Sequence, residues 1–311
     1  MTAVTPSCAV RRPAALRRSW MFAPGLPTAQ QSAAIAAQPD VLVFDLEEFT
    51  APADRPAARA HLAQLLPQCK AQGFVVAVRI NRLDDGGLED LQGIMPGAPD
   101  AVLLPFTESA AHMHALSQAL QAQEQRCQLR VGQTEIVPTL ETALAIVRMP
   151  EILTADARIT ASLLAVEDLS ADLQAMRSPQ GTELAYVRSR FLLECRAFNV
   201  EPIDCPFNYR DAAAAQQDLQ WAWQLGFRSK CVTHAHHVAP VHERLTPQPE
   251  ACAQAQSVVA QWALQKQGAL PAAVALVDSP MVSSAQRVLS RQAQFAAWNA
   301  QVAAALAGAQ A

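Results

Sequence analysis

The sequence predicts an α/β protein built as a single (β/α)8 barrel, a TIM barrel, with a helical tail or lid at its C-terminus. Short apolar runs recur along the chain and alternate with alanine-rich stretches of helical character, an order typical of a parallel sheet. The chain has 311 residues, enough for a barrel of about 250 residues and a tail. Polar residues follow the apolar runs, and barrel enzymes carry their chemistry at those strand ends.

Eight apolar runs are predicted as strands because each is short and is separated from the next by turn residues or a helical stretch. Eight strand–helix units that close into a barrel are a simpler arrangement than an open sheet. The predicted strands are Trp20–Ala23, Val41–Phe44, Phe74–Arg79, Ala101–Leu104, Glu135–Thr139, Ala161–Val166, Glu201–Ile203 and Arg228–Thr233.

Six stretches between the strands are predicted as helices. Pro27-Thr28 marks the start of the first, and Gly226 is a typical C-terminal stop for the last. Asp85-Gly86-Gly87 indicates a turn within a long loop after the third strand. The predicted helices are Thr28–Ala37, Arg55–Gln68, Glu108–Gln123, Glu141–Met149, Glu183–Phe198 and Asp211–Leu225.

Three parts are predicted along the chain. Residues 1–17 form a basic arm, which lacks the apolar segment of a secretory signal and is expected to be disordered. Residues 18–248 form the barrel, and residues 249–311 form a helical extension that carries a lid segment. The elements predicted in the extension are a helix from Pro249 to Lys266, a hinge from Gly268 to Pro271 and a final helix from Ser284 to Ala305.

Composition predicts a cytoplasmic protein whose partners are small molecules. The formal net charge of −4 argues against nucleic-acid binding. The seven cysteines are odd in number, scattered and free of CxxC spacing, which is typical of reduced thiols in the cytoplasm. No apolar run reaches the roughly 18 residues of a transmembrane helix, so no membrane partner is expected.

Charged residues follow several of the predicted strands. A single acid at such a position is ordinarily a helix cap or a loop residue, but acids that close four of the eight strands are predicted to share one site. These residues are Asp45, Glu47 and Glu48 after strand two, Arg79 after strand three, Glu141 after strand five, Glu167 and Asp168 after strand six, and Asp204 after strand seven.

Carboxylates gathered at one end of a barrel repel one another and require a cation among them. Mg²⁺ or Mn²⁺ fits this requirement, because hard ions prefer oxygen ligands and keep waters that a substrate can displace. Arg79 adds a second positive charge, and its planar guanidinium can hold a substrate carboxylate through two parallel hydrogen bonds. The residues therefore predict a metal-dependent site for a carboxylate-bearing substrate.

Six short motifs, in order along nearly the whole chain, resemble those of the citrate lyase beta-subunit/malyl-CoA lyase branch of the HpcH/HpaI aldolase superfamily. One motif alone would be weak, whereas six at the corresponding strand ends are specific. The motifs are RSWMFAPG from Arg18 to Gly25, DLEE from Asp45 to Glu48, VRIN from Val78 to Asn81, ETA from Glu141 to Ala143, EDL from Glu167 to Leu169, and VDSP from Val277 to Pro280 with Ala285 beyond it.

The resemblance implies a Mg²⁺-dependent (or Mn²⁺-dependent) carbon–carbon lyase. Such an enzyme cleaves or forms a 3-hydroxyacyl-CoA, for example citryl-CoA or malyl-CoA, with acetyl-CoA and a 2-oxo acid as the other reactants. By this resemblance Glu141 and Asp168 ligate the metal, and Arg79 holds the carboxylate of the oxo acid. Asp45 and Glu47 would stand beside the metal-bound waters.

The resemblance also implies a homo-oligomer, a trimer or a multiple of one. In this arrangement the tail of a neighbouring subunit presents Asp278 as the base that forms the enolate of acetyl-CoA. Glu141, Phe22 and Pro105 are predicted to contact the substrate. Arg18 is predicted either to meet CoA phosphates or to form a structural salt bridge, and the sequence leaves both open.

Three positions depart from the family pattern. Glu48 replaces the last Asp of DLED, Phe106 replaces a Lys, and Thr233 to His237 (THAHH) replaces IHPxQ. The alternatives left open are an aldolase for free 2-oxo acids, a malyl-CoA thioesterase and, in another class, a non-catalytic subunit that binds an acyl carrier. The histidines are interpreted as loop or core residues, with a zinc site as the alternative.

Overall fold

The computed structural model describes residues 11–269, 271 and 274–309, with side chains described through residue 305. Eight parallel strands pair in chain order and close into a barrel, which confirms the predicted fold class. Each predicted strand is present, with its ends shifted by at most two residues. The strands are β1 (Ser19–Pro24), β2 (Val41–Asp45), β3 (Val75–Arg79), β4 (Ala101–Leu104), β5 (Glu135–Leu140), β6 (Ala161–Leu164), β7 (Glu201–Asp204) and β8 (Ser229–Val232).

The helices in the described part of the chain alternate with these strands and continue into the extension. Judged by length and hydropathy, none of them could serve as a membrane span. They are α1 (Ala29–Ala36), α2 (Arg55–Ala71), α3 (Leu88–Ile94), α4 (Ala110–Arg126), α5 (Ala143–Val147), α6 (Met149–Leu153), α7 (Val166–Asp172), α8 (Ala185–Ala197), α9 (Ala212–Leu225), α10 (Val238–Leu245), α11 (Pro249–Lys266) and α12 (Ser279–Ala309).

Helices α3, α6, α7 and α10 were not predicted. The helix predicted from Glu141 to Met149 corresponds to α5, and a second short helix, α6, follows it with Pro150 in its first turn, where a residue without an N–H is tolerated. Strand six was predicted to reach Val166 but ends at Leu164. Glu167 and Asp168 instead lie in the first turn of α7, where the helix dipole favours carboxylates.

One apolar cluster takes members from all eight strands and therefore fills the interior of the barrel. Successive side chains of a strand alternate between its two faces. On β2, Val43 belongs to the interior cluster, so Asp45 two residues later faces inward as well. On β3, Ala77 belongs to the same cluster, so Arg79 two residues later also faces inward. Two charged side chains therefore lie inside the barrel at the C-terminal ends of the strands. We call this end of the barrel the mouth.

Asp204 faces the other way, since Ile203 is the interior residue of β7. Its carboxylate accepts hydrogen bonds from Arg188 of α8 at 3.0 and 2.7 Å and from Lys230 of β8 at 2.7 Å. Asp218 of α9 supplies a second carboxylate, 2.7 Å from Arg188 and 2.8 Å from Lys230. The prediction that the acid closing strand seven belongs to the shared site is therefore wrong: Asp204 holds helices to the outside of the barrel.

Ion pairs also close the N-terminal end of the barrel. Arg17 is 1% exposed and binds Glu135 at 2.6 Å, and Arg18 binds Asp40 at 2.8 Å. A 3₁₀ turn, Ala14–Leu16, precedes them. Residues 1–10 of the predicted arm lie outside the described residues, but the expected disorder is wrong for residues 11–17, because buried carboxylates at the strand starts bind their arginines.

The chain divides into two compact units, Met1–His242 and Glu243–Ala311. In the second unit, α11 and α12 enclose an apolar cluster that includes Val258, Val277 and Val282. Leu270, Ala272 and Ala273, within or beside the predicted hinge, lie outside the described residues.

The segment before α12 is fixed within the second unit. The side chain of Gln265 donates from Nε2 to the Val277 carbonyl at 3.0 Å and accepts from the Val277 N–H at 3.0 Å. Asp278 accepts a hydrogen bond from the Met281 N–H at 2.8 Å and so caps α12. This cap explains why the helix begins at Ser279 and not at the predicted Ser284.

We predict that Asp204→Ala destabilises the fold by about 3–5 kcal/mol, because it leaves buried Arg188 and Lys230 with too little negative charge. Urea unfolding measures the change. Asp84→Ala is the control, since its ion pair with Arg82 is exposed on both sides, and it should change stability by less than about 1 kcal/mol. Equal stability of the two variants would contradict this account of the network.

Candidate active site

Six charged side chains gather at the mouth of the barrel. Asp45 and Arg79 end β2 and β3, Glu141 follows β5, Glu47 and Glu48 lie in the loop after β2, and Asp168 lies in α7. We call the five acids Asp45, Glu47, Glu48, Glu141 and Asp168 the mouth carboxylates. Each is in contact or in electrostatic interaction with Arg79.

Asp45 is the fixed point of this group. Its carboxylate is 0% exposed and accepts hydrogen bonds from the backbone N–H groups of Glu47 at 3.0 Å and Phe49 at 3.1 Å. Acceptance from residues two and four positions later folds the loop back over the strand end. The same loop is held from below by Asn81, whose side-chain N–H donates to the Leu46 carbonyl at 3.0 Å.

Arg79 is 5% exposed and is bound on three sides. Nε donates to Asp45 at 2.8 Å, and Nη2 donates both to Asp45 and to Glu48, the latter at 3.0 Å. Nη1 forms an ion pair with Glu47 at 2.9 Å. Burial alone would lower the pKa of Arg79, but these carboxylates raise it well above its ordinary value, so the guanidinium stays charged.

Glu141 is buried and has no such support. It is 1% exposed, and neither carboxylate oxygen has a hydrogen bond of ordinary length and angle, although the backbone N–H of Phe106 is near enough to oppose the rise of its pKa slightly. Burial raises the pKa of Glu141 to about 8; the charge of Arg79 opposes this shift, while the negative charges of Asp168 and Glu47 add to it. A buried carboxylate without a partner is costly, so this position calls for a proton or a cation.

Asp168 and Glu47 show the same need for positive charge. Burial, followed by the charge of Glu48, raises the pKa of half-buried Asp168. Burial raises the pKa of Glu47 to about 7, although Arg79 lowers it in part. The raised pKa of all three acids means that each favours its neutral form in the absence of further positive charge. The donor set, oxygens from carboxylates, is the one that Mg²⁺ and Mn²⁺ prefer.

The residues present therefore fit a divalent ion held by Glu141 and Asp168. Within the described chain, no three His, Cys, Asp or Glu side chains already form a metal-binding group. Two protein ligands would leave the other positions of an octahedral ion to water and substrate, which is usual for Mg²⁺ in enzymes that bind it with their substrate.

Other residues predicted for the site have different places. Phe22 lies in the barrel interior, 4% exposed, with the Arg79 guanidinium 5.3 Å from the centre of its ring. It supports Arg79 from below and presents little surface to a ligand. Pro105 is buried directly after β4. Asp278 is exposed and belongs to the second compact unit.

Arg18 is a correction. It precedes β1 and binds Asp40, which precedes β2, so both lie at the N-terminal end of the barrel, opposite the mouth. Of the two alternatives that the sequence left open, the geometry supports the structural salt bridge. Arg18 is not brought to the substrate-binding residues.

The departures from the family pattern also lie at strand ends. Phe106 follows Pro105 with a φ of 48°, a left-handed conformation that is uncommon for a bulky residue and costs free energy. His234, His236 and His237 follow β8 with ring centres 4.2 to 5.7 Å apart. Burial, followed by the neighbouring imidazoles, lowers the pKa of His237 to about 4. His236 and His237 lie in a 3₁₀ turn, Ala235–His237, which leads into α10.

Sequence reasoning missed the role of one residue at the site and the main contact of another. Asn81 joins the loop after β2 to the end of β3, and its place in the VRIN motif was a signal for it. Glu48 was predicted to share the site with the other acids and was noted as a departure from DLED, but its direct contact with Arg79 was not predicted. No feature of the sequence distinguished Glu48 from an ordinary loop acid, because the contact depends on how the loop folds over β3.

Comparison with known proteins agrees with this geometry. The family model for HpcH/HpaI aldolase/citrate lyase matches residues 18–235. The citrate lyase subunit beta of Leuconostoc mesenteroides subsp. cremoris is 31% identical over 279 residues, which cover 88% of this chain and 92% of that protein. The mitochondrial citramalyl-CoA lyase of Homo sapiens is 24% identical over 289 residues, covering 88% of this chain and 85% of that protein.

Among solved structures, the protein CitE of Mycobacterium tuberculosis in complex with magnesium, acetoacetate and coenzyme A superposes with a TM-score of 0.69. It is 27% identical and covers 88% of this chain and 97% of its own. The eight-stranded barrel, the order of the six motifs and the family match over most of the barrel lead to one assignment. The chain belongs to the HpcH/HpaI aldolase/citrate lyase family.

Proposed function

We propose that this protein is a Mg²⁺-dependent carbon–carbon lyase that cleaves, or in reverse forms, a 3-hydroxyacyl-CoA such as citryl-CoA or malyl-CoA. The products of cleavage are acetyl-CoA and a 2-oxo acid. The observation that carries the proposal is the buried, unpartnered carboxylate of Glu141, in electrostatic interaction with Asp168 and Arg79 at the mouth. Relatives named citrate lyase subunit beta and citramalyl-CoA lyase support the same class of reaction.

Glu141 and Asp168 are the residues that would hold the metal. When bound, a divalent ion polarises oxygens of the substrate and stabilises the negative charge that develops on them as the bond breaks. The ion would also compensate for the burial of Glu141. That the solved M. tuberculosis relative contains magnesium supports this choice of metal.

Arg79 is assigned to the carboxylate next to the carbon that becomes the keto carbon. Its guanidinium is preorganised, because Asp45 fixes it on one edge and Phe22 lies beneath it. A cation held in a buried site costs no reorganisation when charge develops on the substrate. Asp45 and Glu47 keep the guanidinium in place and are assigned to the shell around the metal-bound waters.

Asp278 is assigned to the proton on the acetyl carbon. In cleavage the hydroxyl group of the substrate loses a proton, the carbon–carbon bond breaks, and the acetyl carbon gains a proton. Asp278 would hold that last proton and, in the reverse direction, remove it to form the enolate. Its exposure in the extension is consistent with presentation to a neighbouring subunit of a trimer or a multiple of one.

The experiment that tests the reaction is a substrate panel assayed with and without metal. We expect acetyl-CoA to form from citryl-CoA or malyl-CoA, EDTA to abolish its formation, and Mg²⁺ or Mn²⁺ to restore it. Glu141→Gln should prevent restoration because a neutral amide is a poor ligand for these ions.

The same panel separates the alternatives. Cleavage of free hydroxy acids without CoA would indicate the free-acid aldolase, and release of free CoA without acetyl-CoA would indicate a thioesterase. No turnover of any member would favour the non-catalytic subunit that binds an acyl carrier. Activity that is indifferent to EDTA would contradict the metal role of Glu141 and Asp168.

Arg79→Lys should lower kcat/KM by about 10²- to 10³-fold, since a lysine keeps the charge but loses the planar pair of donors. Steady-state kinetics measure the loss, and circular dichroism should show an intact fold. Arg82→Lys is the matched control, because Arg82 is half-exposed and pairs only with an exposed aspartate among its described contacts. A wild-type rate for Arg79→Lys would remove Arg79 from the mechanism.

Asp278→Asn should slow the exchange of the acetyl-CoA methyl protons with solvent deuterium by about 10²- to 10⁴-fold, the usual range for a general base. An asparagine still caps α12, so the helix should remain. Asp211→Asn is the control, since Asp211 caps α9 in the same way, accepting from the Ala213 N–H. Proton exchange measured by NMR that is unchanged in Asp278→Asn would point to another base.

A further inference from the structure

Three N–H groups of Arg79 already donate hydrogen bonds to carboxylates before any ligand arrives. A guanidinium has five N–H groups. Nε is taken by Asp45, Nη2 by Asp45 and Glu48, and Nη1 contacts Glu47. An incoming carboxylate that is to form two parallel hydrogen bonds with Arg79 must therefore replace one of the carboxylates already there.

The three carboxylates differ in how readily they can leave. Asp45 is 0% exposed and is held by two backbone N–H groups as well as by Arg79. The side chain of Glu47 is 21% exposed, and that of Glu48 is 49% exposed. An ion pair with a half-exposed partner is weak because water competes for both charges. Glu48 is thus the carboxylate that a ligand displaces at the lowest cost.

Glu48 also interacts with both Arg79 and Asp168, the residue assigned to the metal. It contacts Arg79 at 3.0 Å, and its negative charge is the second cause of the raised pKa of Asp168. A substrate carboxylate that takes the Nη2 donor now bound to Glu48 would lie where the Glu48 carboxylate lies in the ligand-free protein.

We propose that Glu48 is an internal competitor of the substrate: its carboxylate occupies the substrate-carboxylate position on Arg79 and must be displaced before an acid can bind. The inference rests on the proposed function in one respect, the role of Arg79 as the carboxylate site. Glu48 lowers the apparent affinity of the protein for every acid, because only the molecules in which Glu48 has left Arg79 can bind one. A ligand that also binds the metal, such as a 2-oxo acid, overcomes this competition better than a simple monocarboxylate.

The test compares the wild-type protein, Glu48→Gln and Glu151→Gln. At saturating Mg²⁺, titration calorimetry measures the Kd of pyruvate and oxaloacetate. Glu48→Gln should lower the Kd by about twofold to fivefold, the strength of one half-exposed ion pair. Glu151→Gln is the matched control: the Glu151 side chain is 51% exposed and pairs with Arg148 on the surface, and this change should leave the Kd as in the wild type.

Kinetics give a second reading. The competitor acts on substrate binding, so Glu48→Gln should lower KM by about the factor by which it lowers the Kd, and Glu151→Gln should leave KM as in the wild type. Binding by the wild type with no gain, or a loss, in Glu48→Gln would overturn the role of Glu48 while leaving the proposed function intact. Failure of all three folded proteins to bind any oxo acid would overturn both.

Discussion

The ion pair between Arg79 and Asp45 sets the arrangement of the other charged groups at the mouth. Both residues end neighbouring strands with their side chains inside the barrel, where an unpaired charge would be strongly disfavoured. Asp45 in turn folds the following loop through two backbone hydrogen bonds, and that loop delivers Glu47 and Glu48 to the remaining edges of the guanidinium. The pair thus fixes the positive charge of Arg79 beside Asp45 and leaves the carboxylate of Glu141 without an ion-pair partner.

The balance of charge explains why a metal and an acidic substrate belong to the same site. Arg79 neutralises Asp45 and contacts two further acids, so little of its charge is left for Glu141 and Asp168. A divalent ion would supply the missing charge, and its remaining coordination positions would accept oxygens of a substrate. Under the proposed function, a substrate carboxylate competes with the protein's own carboxylates for the guanidinium, and this competition sets how tightly the mouth binds acids.

Sequence reasoning was sufficient for the barrel, because short apolar runs such as Val41–Phe44 must be buried on both faces and so mark strands. It was also sufficient to name Arg79 and Glu141. It failed at Asp204, although the alternation of strand β7, applied to Ile203, would have placed that acid outside the barrel. Sequence reasoning could not predict the contact of Glu48 with Arg79, because that contact depends on loop conformation and on side-chain rotamers that one sequence does not specify.

Two hydrogen bonds between the Gln265 side chain and the Val277 backbone fix the segment that carries Asp278. These hydrogen bonds, the apolar contacts of Val277 and the helix cap by Asp278 all lie within residues 243–311. The contacts with α11 and α12 therefore set the direction of the Asp278 carboxylate. An extension built in this way is a self-contained module: the carboxylate that the proposed function assigns to proton transfer keeps its orientation through contacts of the extension itself.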